Sequence, residues 1–494
     1  MSKLWTLGLV NIGFLLVTLA IGWAAYRRTS RSAEDYFLGG RGARTVVLFM
    51  ALFGTNVTPF VLLGIPGVAY HQGVAEFGRN AAIVGLGIPL TFYLIGYPAY
   101  LAAKRIGAIT PAQLYRERLD SHATGVVLFV AYLVYTLPYM VTAVLGAGIA
   151  ASVLTGGAVP IAFGAALVLL ITLIYTSLGG MRATMWTNVF QGSVFMLLIL
   201  VMFFVVAGDM GGFVAATEQV REVAPELLVK GDTPAYAIGP WGSWGVAISL
   251  TVIGFPHILV RLFASKDANT LKNVCRLYPV MLLLLWLPAV MIGVWGAAEF
   301  PGLIGRASDQ IFPLMVDRHF GPVLQGVALA GVLAAVMSTL DAQGLTLSSM
   351  FTRDVLRRHV PEMTAEREIV LSRVFMLVLC AVVYGVVLWQ PASIFNIAKF
   401  AFSGYVTLVP TLYLGLHWRR FTAAGAVASI SLGNVVLIAG FAGLLPDVAG
   451  ILPVVFGLLA AIVAGIGVSL VTRPPSASCI ERVVAPIDAA FGRR

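Results

Sequence analysis

Charge is scarce in this chain. Of its 494 residues only 11% are Asp, Glu, Lys or Arg, with 22 acidic against 32 basic. A soluble domain carries roughly 25%, so a solvated globular fold is excluded. Cysteine is scarcer still, with three residues. Cys275, Cys380 and Cys479 are scattered without metal-ligand spacing, which argues against a disulfide framework or a thiolate metal centre and leaves buried, inert thiols. There is no His-Glu metal motif, nucleophile elbow or paired-carboxylate constellation, so the chain does not read as an enzyme and no cofactor is called for. The glycine-rich GGRGA at 39–43 lacks the Lys-Ser/Thr of a phosphate loop and reads as a cytoplasmic turn.

What is abundant is apolar surface: 59% of residues are hydrophobic and the mean hydropathy is +0.92. Apolar runs of about 20 residues recur from end to end, the length that crosses a bilayer as a helix. Inside lipid the backbone must satisfy itself, and the runs are continuous rather than alternating, so helices are expected, not a barrel. Thirteen spans are predicted: 4–26, 45–72, 79–103, 123–151, 159–178, 185–207, 243–263, 278–299, 321–350, 369–389, 394–417, 421–442 and 450–471. The first run is too long for a signal-peptide core and is read as retained.

Charge between the spans alternates. On this assignment 25 of the 32 basic residues fall on one side, among them Arg31, Arg261, Arg493 and Arg494. Six fall on the other, and Lys399 sits inside a span. The positive-inside rule then puts the N-terminus outside and the C-terminus in the cytoplasm of a multi-pass cell-membrane protein. Basic loops beside the lipid bilayer explain the net charge of +10 without nucleic acid. The gap 209–240 is expected outside, with room for a short helix.

Two spans look broken. In TVVLFMALFGTNVTPFVLLGIPGVAY, Gly54, Thr55, Asn56, Thr58 and Pro59 cluster at mid-membrane, where Pro59 removes a donor and frees upstream carbonyls. In WGVAISLTVIGFPHILVRLF, Gly254 and Pro256 occupy the middle. Discontinuous helices at matching places in two halves point to a transporter site, although Pro and Gly are also common in membrane helices. After both comes LAGVLAAVMSTLDAQGLTLSSM, Leu329 to Met350. Ala335, Ser338 and Thr339 share one helix face and present a carbonyl and two hydroxyls, the oxygen donors a small hard cation prefers. Ser and Thr also bond back to their own helix or knit helices together. Asp341, an ionisable group in mid-membrane, favours a functional reading.

Four segments carry a resemblance: YFLGGRGARTVVLFMALFGTNVTPFVLLGIPGVAYHQG, TSLGGMRATMWTNVFQG, VIGFPHILVRLFASKDA and LAAVMSTLDAQGLTLSSMFTRD. In this order, from Asp35 to about Arg420, the chain resembles the sodium/solute symporter family. That resemblance implies an all-α LeuT-type fold within a single transporter domain, 1–494. Its parts would be a leading helix at 4–26, inverted five-helix repeats at 45–207 and 243–417, two trailing helices at 421–471 and a cytoplasmic tail at 472–494. It implies a sodium site of Gly54, Val57 and Ala335 carbonyls with the Ser338 and Thr339 hydroxyls. Where many members carry Asp, this chain has Asn188, while Asp341 stands where a hydroxyl is common. Asp341 then either replaces the lost charge, for a second cation or a proton, or bonds helix to helix.

The implied activity is symport: inward sodium movement drives uptake of a small organic solute by alternating access, with a monomer sufficient and the oligomeric state open. VIGFPH is similar to the stretch in pantothenate and monocarboxylate permeases of the family, so a carboxylate is expected. Ile248 and Val252 replace aromatics of the proline permeases, which disfavours proline. Half-helix N-termini near Thr58–Phe60 and Phe255–His257 offer N–H groups to an anion. Thr58, Phe60, Phe255, His257 and Lys399 are the candidate solute contacts. Proton coupling, other solutes (sugar, amino acid, nucleoside, urea, sialic acid) and a passive channel remain alternatives. A fused sensor kinase is not expected in a tail of 472–494.

Overall fold

Once an apolar chain has closed its backbone into helices, only packing and breaks distinguish one helix from another. The computed structural model describes residues 2–30, 32–56, 58–360, 362–389 and 392–492. Val57, Arg31, Arg493 and Arg494 lie outside the described residues. The apolar helices are α1 (Lys3–Tyr26), α2 (Thr45–Asn56), α3 (Phe60–Gln72), α4 (Ala75–Ile106), α5 (His122–Leu154), α6 (Ile161–Asp209) and α7 (Ile238–Gly254). There follow α8 (Pro256–Phe263), α9 (Ala268–Glu299), α10 (Pro322–Arg358), α11 (Ala365–Trp389), α12 (Ile394–His417), α13 (Ala423–Phe441) and α14 (Pro453–Val471).

Both expected breaks are present. α2 and α3 meet at 51°, and α7 and α8 at 48°. Pro59 precedes a first turn of α3 that is a π-helix over Phe60–Gly64. In the second break Phe255 is extended (φ −69°, ψ 124°) and Pro256 opens α8, where its missing N–H has no intrahelical partner to lose. Among the described residues ten single helices are long and apolar enough to cross a membrane, or twelve spans if each bent pair is one. The sequence reading of thirteen differs at α6. Its 49 residues are counted once, although Gly180 leaves the helical region there (φ 54°, ψ −147°).

Burial sorts the helices. In α10 and α12, 83% and 78% of the most apolar window is enclosed. For α1, α11, α13 and α14 the share is 22–33%, so these form the rim, with Leu and Val side chains facing outward. α13 and α14 pack along small residues. A Cβ on Gly433 would stand 2.8 Å from that of Ala461, the close approach that holds membrane helices together.

At one end, the strand-like segment before α2 pairs with the residues after α8. The Ala43 N–H donates to the Ala264 carbonyl (3.2 Å) and the Lys266 N–H to the Ala43 carbonyl (2.9 Å). Arg41 adds donations to the carbonyls of Phe263 (3.2 Å) and Ala108 (2.8 Å), and Arg182 pairs with Asp35 at 2.5 Å. At the other end, a cavity of about 740 Å³ is bounded by α3, α12 and the loops around 234–240 and 305–309. The segment 209–240 contains the expected short helix, Phe213–Val223.

Candidate functional site

The break after α2 exposes carbonyls that an unbroken helix would consume, and α10 crosses directly behind them. The Ser338 hydroxyl donates to the Gly54 carbonyl (2.8 Å) and lies 3.0 Å from the Ala335 carbonyl. The Thr339 hydroxyl lies 3.0 Å from the Ala335 carbonyl and 3.4 Å from that of Thr55. Gly54, Ala335, Ser338 and Thr339 thus converge, joined by the carbonyl of Thr55, a member of the cluster whose carbonyls Pro59 was expected to free. Gly54, Ser338 and Thr339 are all buried. The donor set is neutral, all oxygen and enclosed in protein. Such a set suits a monovalent hard cation, with each hydroxyl turning its hydrogen away to offer a lone pair.

Asp341 faces away from this cage. Its Oδ2 accepts from the Tyr175 hydroxyl at 3.0 Å, and its Oδ1 pairs with Arg261 at 3.3 Å, both partners being fully buried. Arg261 also donates to the Ala51 carbonyl and the Thr55 hydroxyl on α2. Asn188 completes the group. With its amide oxygen toward Arg261, as hydrogen-bond complementarity requires, it accepts at 2.9 and 2.7 Å and gives its NH₂ to Asp341 Oδ2 at 3.2 Å. The assignment of Arg261 to a basic cytoplasmic loop is therefore corrected: it is a membrane-interior residue of α8. It belongs to this cluster because a buried guanidinium must find acceptors, and Asp341 is a carboxylate at the same depth.

The expected solute contacts separate. Phe60 and Phe255 share a small central cavity of about 20 Å³ with Asn56, Ile248, Val252 and Trp286. Thr58 is buried at the start of α3, where its hydroxyl accepts from the Phe60 N–H (3.1 Å) and its carbonyl from the Val61 N–H (2.8 Å). Those N–H groups are occupied, which corrects the expectation that they stand free for an anion. His257 is fully buried, stacked on Phe255 with ring centres 5.1 Å apart. Neither of its ring nitrogens finds a hydrogen-bond partner among the described residues. Lys399 belongs to the 740 Å³ cavity instead, with His71, Arg79, Arg306, Asp309 and Asn396.

Comparison with known proteins decides the class. The model of the Sodium:solute symporter family matches residues 36–433. The chain belongs to the sodium:solute symporter family. The symporter is 26% identical to the osmoregulated proline transporter OpuE of Bacillus subtilis, over 95% of each chain. It is 28% identical to a sodium/proline symporter of Haemophilus influenzae, over 86% of each. Among solved structures it resembles a Na⁺-coupled sialic acid symporter in a substrate-bound, outward-open state. The TM-score is 0.79 at 17% identity, covering 95% of this chain and 99% of that one. It also resembles MhsT in complex with L-phenylalanine, with a TM-score of 0.51 at 16% identity, covering 87% and 98%. The fold is of the LeuT type. This protein is a multi-pass membrane transporter, not an enzyme, and couples sodium to a small organic solute.

In the symporter the sequence reading missed the interior position of Arg261 and the parts played by Tyr175 and Trp286. Arg261 carried a usable signal, since it is followed by Leu262 and Phe263 and so lies within the apolar run. Tyr175 and Trp286 carried none, because an aromatic in a membrane helix is ordinarily packing.

Proposed function

We propose that this symporter takes up a small monocarboxylate or pantothenate-like anion with a compact apolar body, driven by sodium bound between α2 and α10. The sodium ligands are the Gly54, Val57 and Ala335 carbonyls and the Ser338 and Thr339 hydroxyls. Loss of hydration is compensated because the break leaves α2 carbonyls without helical donors. α6 crosses twice, breaking at Gly180. At 1.5 Å per residue a single span of its length would be more than twice the roughly 30 Å hydrocarbon thickness. With thirteen crossings, the N-terminus is outside and the 740 Å³ cavity is the outer entrance. The repeats 45–207 and 243–417 carry the two breaks, and alternating access moves the opening from that cavity to the end bearing Asp35 and Arg41.

The observation that carries the carboxylate is Lys399. Its half-buried side chain lines the entrance, and no carboxylate among the described residues pairs with it. Arg79 is already matched by Glu76 at 3.2 Å. An unpaired ammonium in a partly desolvated entrance attracts an anion. The inner cavity beyond it is walled by Phe60, Ile248, Val252 and Phe255, which suits an apolar body. Proline is the solute named for two relatives. Here Ile248 and Val252 give an aliphatic wall.

Proteoliposome uptake of labelled monocarboxylates, pantothenate, proline, sialic acid and a sugar, with and without a sodium gradient, tests this. A sodium-dependent carboxylate whose KM rises about tenfold or more in Lys399→Gln, as loss of a charge-assisted contact implies, supports it. Uptake confined to neutral solutes, or a carboxylate KM unchanged in Lys399→Gln, overturns the substrate reading.

A further inference from the structure

The sodium cage has an immediate neighbour of the same chemistry. Around Arg261 stand the Ala51 carbonyl, the Thr55 hydroxyl, the Asn188 amide oxygen and the Asp341 carboxylate, supplied by α2, α6 and α10. These are the ligand types that bind a hard cation. The two groups share a wall: Thr55 turns its carbonyl toward Thr339 and its hydroxyl toward Arg261. α10 likewise serves both, with Ser338 and Thr339 on one side and Asp341 on the other.

We propose that Arg261 is a resident cation, tethered by α8 in the oxygen-lined position beside the sodium cage, and that the symporter therefore binds one sodium per cycle and not two. This rests on the sodium cage of the proposed function. Asp341 is the carboxylate of this interior cluster, and both its oxygens are engaged, Oδ1 by Arg261 and Oδ2 by Tyr175 and Asn188. A second sodium would have to displace a fully buried guanidinium that pairs with no other carboxylate among the described residues, or sit beside it and be repelled across a low-dielectric interior. The neighbouring cage is built of neutral oxygens, so it holds a single mobile charge. Arg261 thus acts as a positioning residue that fixes the ion count. One sodium carried with one monoanion moves no net charge, leaving the sodium gradient and not the membrane potential as the driving force.

The test is equilibrium binding of ²²Na⁺ to the purified full chain, with the sodium dependence of uptake alongside. Wild type should bind one sodium per chain with a Hill coefficient near 1, since that coefficient is bounded by the number of sites. Arg261→Lys should do the same, because it keeps a tethered charge. Arg261→Met leaves Asp341 uncompensated, and should bind a second sodium with a Hill coefficient rising above 1. Arg261→Met combined with Asp341→Asn should return to one. Two sodium ions on wild type would overturn the proposal, as would a folded Arg261→Met that still binds one. If Arg261→Met does not fold, the wild-type and Arg261→Lys counts decide. No sodium on wild type would overturn the cage and, with it, the proposal; the count of two overturns the role of Arg261 alone.

Discussion

Removing the two hydroxyls of α10 tests the sodium cage most directly. Ser338→Ala takes one oxygen from the cage and leaves the Gly54 carbonyl, 2.8 Å away, without its donor. A neutral oxygen serving a charged partner is worth about 1.5–3 kcal/mol. About 1.4 kcal/mol is tenfold in affinity. The half-saturating sodium concentration should therefore rise roughly 10- to 100-fold in Ser338→Ala. It should rise further in Ser338→Ala/Thr339→Ala, without strict additivity because the sites touch. The fold should survive, since both hydroxyls also bond back to Ala335 within their own helix and such local bonds are worth about 1 kcal/mol each. The assay is initial uptake against external sodium in proteoliposomes, with thermal unfolding in detergent as the control. A folded double variant whose sodium dependence stays within about threefold of wild type, far below the expected shift, would refute the reasoning.

Other predictions follow from packing and charge. Burial lifts the Asp309 carboxyl, in the loop before α10 and beside the entrance, from its usual 3.8 to about 6. The native state then holds its proton more tightly than the unfolded chain, so stability falls as pH rises from 3.8 through about 6. The entrance also gains negative charge over that interval, so KM for an anionic solute should fall as pH drops through about 6 in wild type but not in Asp309→Asn, measured by uptake at fixed sodium. Gly254→Ala places a Cβ 2.8 Å from the Tyr405 carbonyl, a backbone clash across α7 and α12. Overpacking of this kind costs about 1–3 kcal/mol, so a lowered melting temperature and reduced transport are expected. Arg41→Ala removes donations to Phe263 and Ala108. Cysteine-reactive probes applied from the inside should then label a reporter at Gln343, buried in α10, faster than in the parent.

The features legible in the sequence were those with a local cause. Pro59 and Pro256 stand at the two breaks with Gly54 and Gly254 upstream of them, whereas Pro138, Pro288 and Pro410 stay within continuous helices, and Ala335, Ser338 and Thr339 meet because helix geometry makes i, i+3 and i+4 neighbours. Depth was harder. Leu262 and Phe263 after Arg261 favour an interior position, but that it turns to Asp341 follows only from the packing of α8 against α10. The breaks promised free N–H groups, but Thr58 takes the first ones for itself. Lys399 does lie inside a span, in α12, yet its cavity neighbours come from far away in the chain, from the end of α3, the start of α4 and the loop around 306–309. The gap predicted between the spans 159–178 and 185–207 coincides with Gly180, where the backbone leaves the helical region within α6.

The pairing of Ala43 with Ser265 has a mechanical meaning. Ala43 leads into the half-helix that presents Gly54, and Ser265 follows the half-helix that carries Arg261, so each break has one arm fastened to the other by main-chain bonds. A displacement of either arm is transmitted to its counterpart without waiting for a side chain to respond. Ion and solute would then be let go through a single swing, with little opportunity for one to slip through while the other stays behind.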